Sequence, residues 1–143
     1  MDRNEFERIR DLNGKVIRGD IVLKPKKERM GVYSTEGVPI ENSNGTEARL
    51  KIEWREETDA KCINVHIKGL GPICRLDVDS LRHKPCGRSH KHALKTPSCP
   101  ENNLNRDVLD REDLSGLDIE TVFKKFCDMS YIEHSGNFII ERM

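Results

Sequence analysis

Residues 48–54 read ARLKIEW, and apolar side chains alternate with charged ones along the whole stretch. Leu50, Ile52 and Trp54 fall on one side, and the three charged residues fall on the other. Because successive side chains of a β-strand point to opposite faces, this spacing predicts a strand with one buried and one polar face. Such half-buried strands are typical of antiparallel sheets.

The segments on both sides of this strand have the same character. Polar turns at residues 42–45 and 56–60 flank it, and the sequence GLGP links two later strands at residues 69–72. Connections this short cannot carry the crossover that parallel strands require. We therefore expect an antiparallel meander of four or five strands. Its other strands are expected at residues 15–23, 31–35, 62–67 and 73–78.

Near the end of the chain the apolar spacing changes to that of a helix. The apolar positions follow the i, i+3, i+4, i+7 pattern, and Asp118 just before them fits the role of N-cap. These positions are Ile119, Val122, Phe123, Phe126 and Met129. Residues 2–11 are expected to form a short helix, and residues 138–140 a last strand or a tail. The expected fold class is α+β, with a C-terminal amphipathic helix packed on one face of the sheet.

Composition limits the class of protein. A chain of 143 residues is long enough for a single domain spanning residues 1–143, and its 25 basic and 25 acidic side chains cancel. No apolar run approaches the roughly twenty residues of a membrane span, and the N-terminus lacks the apolar core of a signal peptide. The five cysteines are an odd and scattered set, which is not typical of a secreted disulfide scaffold. We expect a cytoplasmic protein with reduced thiols and no membrane partner.

Residues 80–100 contain the densest group of chemically active side chains in the chain. They hold three of the five histidines and five lysines or arginines, but no carboxylate. Prolines and glycine interrupt the segment, so it is expected to form a loop after the strand at residues 73–78. A loop rich in cations and imidazoles suits phosphate binding, proton transfer or metal binding.

The strand before this loop contributes polar side chains of its own. Arg75 and Asp77 are two residues apart and therefore share a strand face, and a hairpin with the preceding strand adds Asn64 and His66 to the same polar side. We expect the loop histidines to fold back over this face and form a single pocket. Taken alone, the Arg75–Asp77 pair is also compatible with a surface ion pair, which contributes about 0–1 kcal/mol.

The order of these residues resembles a known group of proteins. The sequence has RLD at residues 75–77, then His83, HKH at residues 90–92 and FKKFCDMSYI at residues 123–132. This order resembles the TumE-type toxins of prokaryotic toxin–antitoxin modules and related small families of unknown function, over residues 73–132. The resemblance implies a β-meander, an Arg-x-Asp strand, a His-x-His segment and a C-terminal helix. It also implies a toxin that acts on RNA and is held in check by an antitoxin or another inhibitory protein.

The same residues suit RNA cleavage without a metal. Attack by a ribose 2′-hydroxyl needs a base, an acid for the leaving oxygen and positive charge on the phosphate. We predict that His90 and His92 are the acid–base pair, that Arg75 binds the phosphate, and that Asp77 orients Arg75 or fixes a histidine tautomer, with His83 as a further proton carrier or substrate contact. Flanking phosphates are expected to contact Arg82, Lys84, Arg88 and Lys91. The predicted function is that of a metal-independent endoribonuclease.

Two other classes of function remain open from the sequence. The first is a zinc site, since five candidate ligands lie within seventeen residues and a structural zinc needs four. They are His83, Cys86, His90, His92 and Cys99. Cys86, His90 or His92, and Cys99 are its favoured members. The second class is a non-catalytic module that binds or inhibits a nucleic acid or a protein through the basic loop. The sequence leaves the oligomeric state open.

Overall fold

A computed structural model describes residues 3–80, 89–92 and 108–142 of the chain, and it has the α+β architecture that the sequence predicts. Helix α1 spans Arg3–Arg10, α2 spans Ile119–Met129, and a short 3₁₀ helix spans Glu112–Leu114. The strands are β1 Lys15–Arg18, β2 Ile21–Pro25, β3 Val32–Ile40, β4 Ala48–Arg55, β5 Ala60–Ile67, β6 Gly71–Val78, β7 His90–His92, β8 Val108–Asp110, β9 Ile132–Ser135 and β10 Phe138–Ile140. Within the described ranges, no helix is long and apolar enough to cross a membrane.

The sheet is a meander in which sequential strands pair side by side. Strands β2 to β8 follow one another in antiparallel order, and β10 adds to the β2 edge in parallel. Strands β1 and β9 form a separate parallel pair. The predicted meander is therefore confirmed, and it has more strands than the four or five expected. The predicted strand at residues 15–23 is two strands, because Gly19 adopts a positive φ of 90° between them.

Helix α2 closes one face of the sheet, as its apolar spacing predicts. The side chain of Asp118 accepts a hydrogen bond of 2.7 Å from the backbone N–H of Thr121, so the predicted N-cap is confirmed. The apolar side of the helix is buried at Ile119, Val122, Phe123, Phe126 and Cys127. These side chains join the inward side chains of β4, β5 and β6 in one core. The opposite, polar face of the same three strands is thereby left for other contacts.

Two local features differ from the sequence prediction. His90–His92 was expected in a loop but forms strand β7, because its backbone pairs with β6 on one side and β8 on the other. Period-two spacing from Arg75 would place Ile73 on the polar face as well, but Ile73 is buried because the register between β5 and β6 shifts beside it. The shift pairs Val65 with Cys74 and the next residue with Pro72, which leaves Ile73 as the extra residue of a β-bulge.

Candidate functional site

A cleft of about 940 Å³ lies on the polar face of strands β4, β5 and β6. The three strands are paired in continuous antiparallel register over most of their length. Their inward side chains fill the core, so the residues that line the cleft are the alternate, outward ones. The period-two pattern of the sequence therefore decides which side chains meet in the cleft.

Backbone register arranges the outward residues in two rows that cross the strands. The first row is Lys51, Asn64, Arg75 and His92. The second row is Glu53, Cys62, Asp77 and His90. Residues opposite each other in antiparallel strands share a face of the sheet, and neighbouring strands lie about 4.8 Å apart. The cleft thus has a basic row beside an acidic row, and each row ends at a histidine position of β7.

Arg75 and Asp77 form an ion pair at the β6 side of the cleft, with Arg75 Nε 3.2 Å from Asp77 Oδ2. The side chain of Asp77 is only 6% exposed and that of Arg75 is 30% exposed. Burial alone would lower the pKa of Arg75, but Asp77 and the neighbouring Cys62 raise it above its usual value. The structure thus shows the two residues as an ion pair whose carboxylate is buried and whose guanidinium is partly exposed. Asp77 balances the charge of Arg75 at ion-pair distance, while the buried Nε of Arg75 donates no hydrogen bond.

Asn64 lies between the two cations of the first row and is only 9% exposed. Its Oδ1 atom is buried and accepts no hydrogen bond. Most buried polar atoms in folded proteins do have a partner, so this oxygen and the likewise unpaired Nε of Arg75 are two unsatisfied polar atoms in the wall of the cleft. Sequence reasoning placed Asn64 on this face but did not assign it to the site.

His66 lies two residues along β5 from Asn64 and also lines the cleft. Burial lowers its pKa below the usual value, and the positive charges of Lys51 and Arg75 lower it further. Arg49 is its register partner on β4. His66 is therefore neutral at pH 7, and a neutral imidazole can accept a proton. It is a functional candidate that the sequence-based site omitted.

Removing a neighbouring positive charge tests this account of His66. We expect Lys51→Met to raise the pKa of His66 towards its usual value of 6.5, because one of the two cations that disfavour the imidazolium is lost. The measurement is an NMR titration of the His66 ring. Lys68→Met is the matched control, since Lys68 is an exposed lysine two residues beyond His66 that ion-pairs with Glu47. An unchanged His66 titration in Lys51→Met would contradict the electrostatic assignment.

Cys62 occupies the centre of the second row and is half-buried. Burial raises its pKa to about 12, and the negative charge of Asp77 adds to the shift. The thiol therefore stays protonated and is not an activated nucleophile. Cys74 and Cys127 are buried in the core.

Strand β7 is held against β6 through the fully buried Ser89. Its hydroxyl accepts a hydrogen bond of 2.9 Å from the backbone N–H of Asp79, and its carbonyl accepts one of 3.0 Å from the N–H of Arg111. Its own N–H donates to the carboxylate of Glu112 at 3.3 Å. These bonds fix the start of β7, and therefore the register that brings its backbone alongside Arg75.

The structure brings together part of the predicted site. Arg75 and Asp77 line the cleft, and the backbones of His92 and His90 lie opposite them in β7, with Lys91 between these two. The other predicted residues lie outside the described part of the chain, namely Arg82, His83, Lys84, Cys86, Arg88 and Cys99. The zinc hypothesis depends on Cys86 and Cys99, which are both outside the described part of the chain. Among the residues that the structure describes, no group of three or more metal-binding side chains occurs.

Comparisons of the chain with protein-family models, with curated proteins and with solved structures found no significant match. The case for a function therefore rests on the cleft itself.

Proposed function

We propose that the protein is a metal-independent endoribonuclease that acts on RNA in the cytoplasm, as a toxin restrained by an inhibitory partner. The observation that supports this most strongly is the register of β6 and β7. It pairs the backbone of His92 with Arg75 and that of His90 with Asp77, at the edge of a polar cleft. A guanidinium and two imidazole-bearing residues are thus adjacent in one small region of the sheet. This is the set of groups that acid–base cleavage of a phosphodiester requires.

In the proposed reaction the guanidinium of Arg75 binds the scissile phosphate. The ribose 2′-oxygen attacks phosphorus and loses its proton to a base, which forms a 2′,3′-cyclic phosphate. The bond from phosphorus to the 5′-oxygen breaks, and an acid gives that oxygen a proton. Asp77 lies at ion-pair distance on one side of Arg75, and the guanidinium is assigned to the negative charge that builds up on the phosphate.

The positions of the histidines suggest which of them is base and which is acid. In-line displacement needs the two groups on opposite sides of the phosphate. His66 lies on β5 and His92 lies on β7, so the two positions flank Arg75 of β6. The lowered pKa of His66 suits a base that starts neutral, and His92 is then the acid. His90 and His83 are assigned supporting roles in proton transfer, and the basic residues between β6 and β7 are assigned to flanking phosphates.

Cleavage of single-stranded RNA in the presence of a chelator tests this proposal. We expect the wild-type protein to cut RNA, and His66→Ala and His92→Ala each to lower kcat by about a hundredfold, since each loses one proton-transfer group. His134→Gln is the matched control, because the ring of His134 lies in a different pocket and contacts the carbonyl oxygen of Gly19 at 2.8 Å. If the wild type leaves RNA intact, or if the cleft variants cut as fast as the control, the proposal fails.

A further inference from the structure

We infer that the carboxylate of Glu53 binds a guanine base through N1–H and the 2-amino group, in a nucleotide whose 3′-phosphate is bound by Arg75. The cleft then selects guanosine on the 5′ side of the bond that is cut. The inference rests on the proposed function in taking RNA as the ligand. It adds a base preference, which the acid–base groups and the phosphate-binding arginine do not supply.

The first step concerns the carboxylates that line the cleft. The side chain of Glu53 is 24% exposed, whereas those of Asp77 and Asp79 are 6% and 14% exposed. Asp77 is paired with Arg75, and Asp79 already accepts hydrogen bonds from three other residues. Among the cleft carboxylates that the structure describes, Glu53 is therefore the one most open to a ligand.

The second step concerns the orientation of this carboxylate. Its Oε2 accepts a hydrogen bond of 3.3 Å from Nζ of Lys26, and its Oε1 accepts one of 3.4 Å from Nη1 of Arg29. Both cations belong to the turn between β2 and β3, and these strands lie on the opposite side of β4 from β5. A carboxylate has about four lone-pair sites, so each oxygen keeps a further acceptor site. The two oxygens are thus fixed from one side and remain open to the cleft on the other.

The third step concerns the space between Glu53 and Arg75. The two residues are two strands and one row apart, which places their Cα atoms roughly 12 Å from each other. A nucleotide can bridge this span with its phosphate on the guanidinium and its base on the carboxylate. The β5 residues along the second row and beyond it are Cys62 and Ala60, whose small side chains leave room for a planar base. The ribose then lies over β5, the strand that carries His66.

The fourth step identifies the base. Proteins read the bases of single-stranded RNA through hydrogen bonds that include the Watson–Crick edge. On this edge guanine presents two adjacent N–H donors, at N1 and at the 2-amino group, which match the two oxygens of a carboxylate. Adenine and cytosine have an acceptor nitrogen beside their amino group, and uracil has its one N–H between two carbonyl oxygens. In each of these three bases an acceptor would face a negatively charged oxygen, so the carboxylate favours guanine.

Calorimetric binding of nucleoside 3′-monophosphates tests the contact without any bond being cut. The ligands are those of guanosine, inosine and adenosine, and inosine keeps N1–H but lacks the 2-amino group. We expect the wild type to bind the guanosine ligand roughly tenfold more tightly than the inosine ligand and roughly a hundredfold more tightly than the adenosine ligand. The physical reason is the loss of one and then of both hydrogen bonds to the carboxylate.

Glu53→Gln is expected to bind the guanosine ligand no more tightly than the inosine ligand, because one of its two acceptors becomes an N–H donor. Glu47→Gln is the matched control. Glu47 is also paired with two cations, Arg49 and Lys68, but it is exposed and does not line the cleft. We expect the control to keep the guanosine preference of the wild type.

The ligand series on the wild type keeps the inference falsifiable if Glu53→Gln fails to fold. Equal affinity for the guanosine and adenosine ligands would overturn the inference, as would no binding of any of the three or an unchanged guanosine preference in Glu53→Gln. A guanosine preference that depends on Glu53, in a protein that leaves RNA intact, would support the inference while the proposed function fails. RNA cleavage by a protein without that preference would have the opposite meaning.

Discussion

Arg75→Lys is expected to lower kcat for RNA cleavage by about a thousandfold, although the positive charge remains. Arginine presents a planar fork of N–H donors, and Nε of Arg75 lies 3.2 Å from Oδ2 of Asp77. The other face of the fork can then bind two phosphate oxygens at once. A lysine paired with the same carboxylate has one rotating ammonium group and cannot do both. Because Asp77 keeps a cationic partner, we expect the folded state to survive the substitution.

Single-turnover cleavage and thermal unfolding of the same protein preparation measure the two halves of this prediction. Arg18→Lys is the matched control, since Arg18 is also a strand arginine in an ion pair, with Glu41 at 2.6 Å, but it is exposed and lies away from the cleft. If Arg75→Lys cleaves RNA at the wild-type rate, the assignment of Arg75 as the phosphate-binding group is wrong. A large loss of stability would instead assign Arg75 a structural role.

Lys61→Met is expected to lower the free energy of unfolding by about 3 kcal/mol. The side chain of Lys61 is fully buried, and its ammonium lies 2.9 Å from Oδ2 of Asp59 and 3.2 Å from Oδ2 of Asp79. Methionine fills the space of the stem but leaves two carboxylates without their shared cation. We expect the lower end of the range for broken buried ion pairs, because the side chain of Asp59 is 47% exposed and is partly compensated by water.

The loss of stability in Lys61→Met should extend to the cleft, because Asp79 is hydrogen-bonded to several elements. Its carboxylate accepts hydrogen bonds from the hydroxyl of Ser115 and from the N–H of Gly116, and its own N–H donates to Ser89 at the start of β7. Hydrogen exchange at the amides of β6 and β7 should therefore speed up in Lys61→Met. Urea unfolding gives the stability, with Lys24→Met as control, since Lys24 is an exposed strand lysine. Equal stability of the two variants would contradict the role assigned to the buried cation.

The helices and strands whose apolar residues recur at regular spacing could be predicted from the sequence. The alternation in β4 and the i, i+3, i+4, i+7 pattern of α2 report burial directly, so both elements and the N-cap Asp118 were expected at nearly the observed residues. The parallel pairings of β1 with β9 and of β10 with β2 could not be predicted. They join residues more than a hundred positions apart, such as Lys15 and Ile132, and such pairing leaves no local pattern. Strand β7 has only three residues, too few to show an alternation of apolar and polar side chains.

The candidate site was predictable only in part, for a related reason. Period two places Arg75, Asp77, Asn64 and His66 on one face, and the cleft confirms that placement. Whether a polar atom has a partner depends on neighbouring strands, so the unpaired Oδ1 of Asn64 is visible only in three dimensions. The same holds for the lowered pKa of His66, which arises from burial and from charges on two other strands.

The chemical ends of the RNA fragments test the central proposal most directly. Attack by the 2′-hydroxyl predicts fragments that end in a 2′,3′-cyclic phosphate, or in the 3′-phosphate formed by its hydrolysis, together with 5′-hydroxyl ends. Mass spectrometry of fragments made in the presence of a chelator identifies these ends. Fragments with 3′-hydroxyl and 5′-phosphate ends, or cleavage that the chelator abolishes, would contradict acid–base catalysis by the histidines around Arg75.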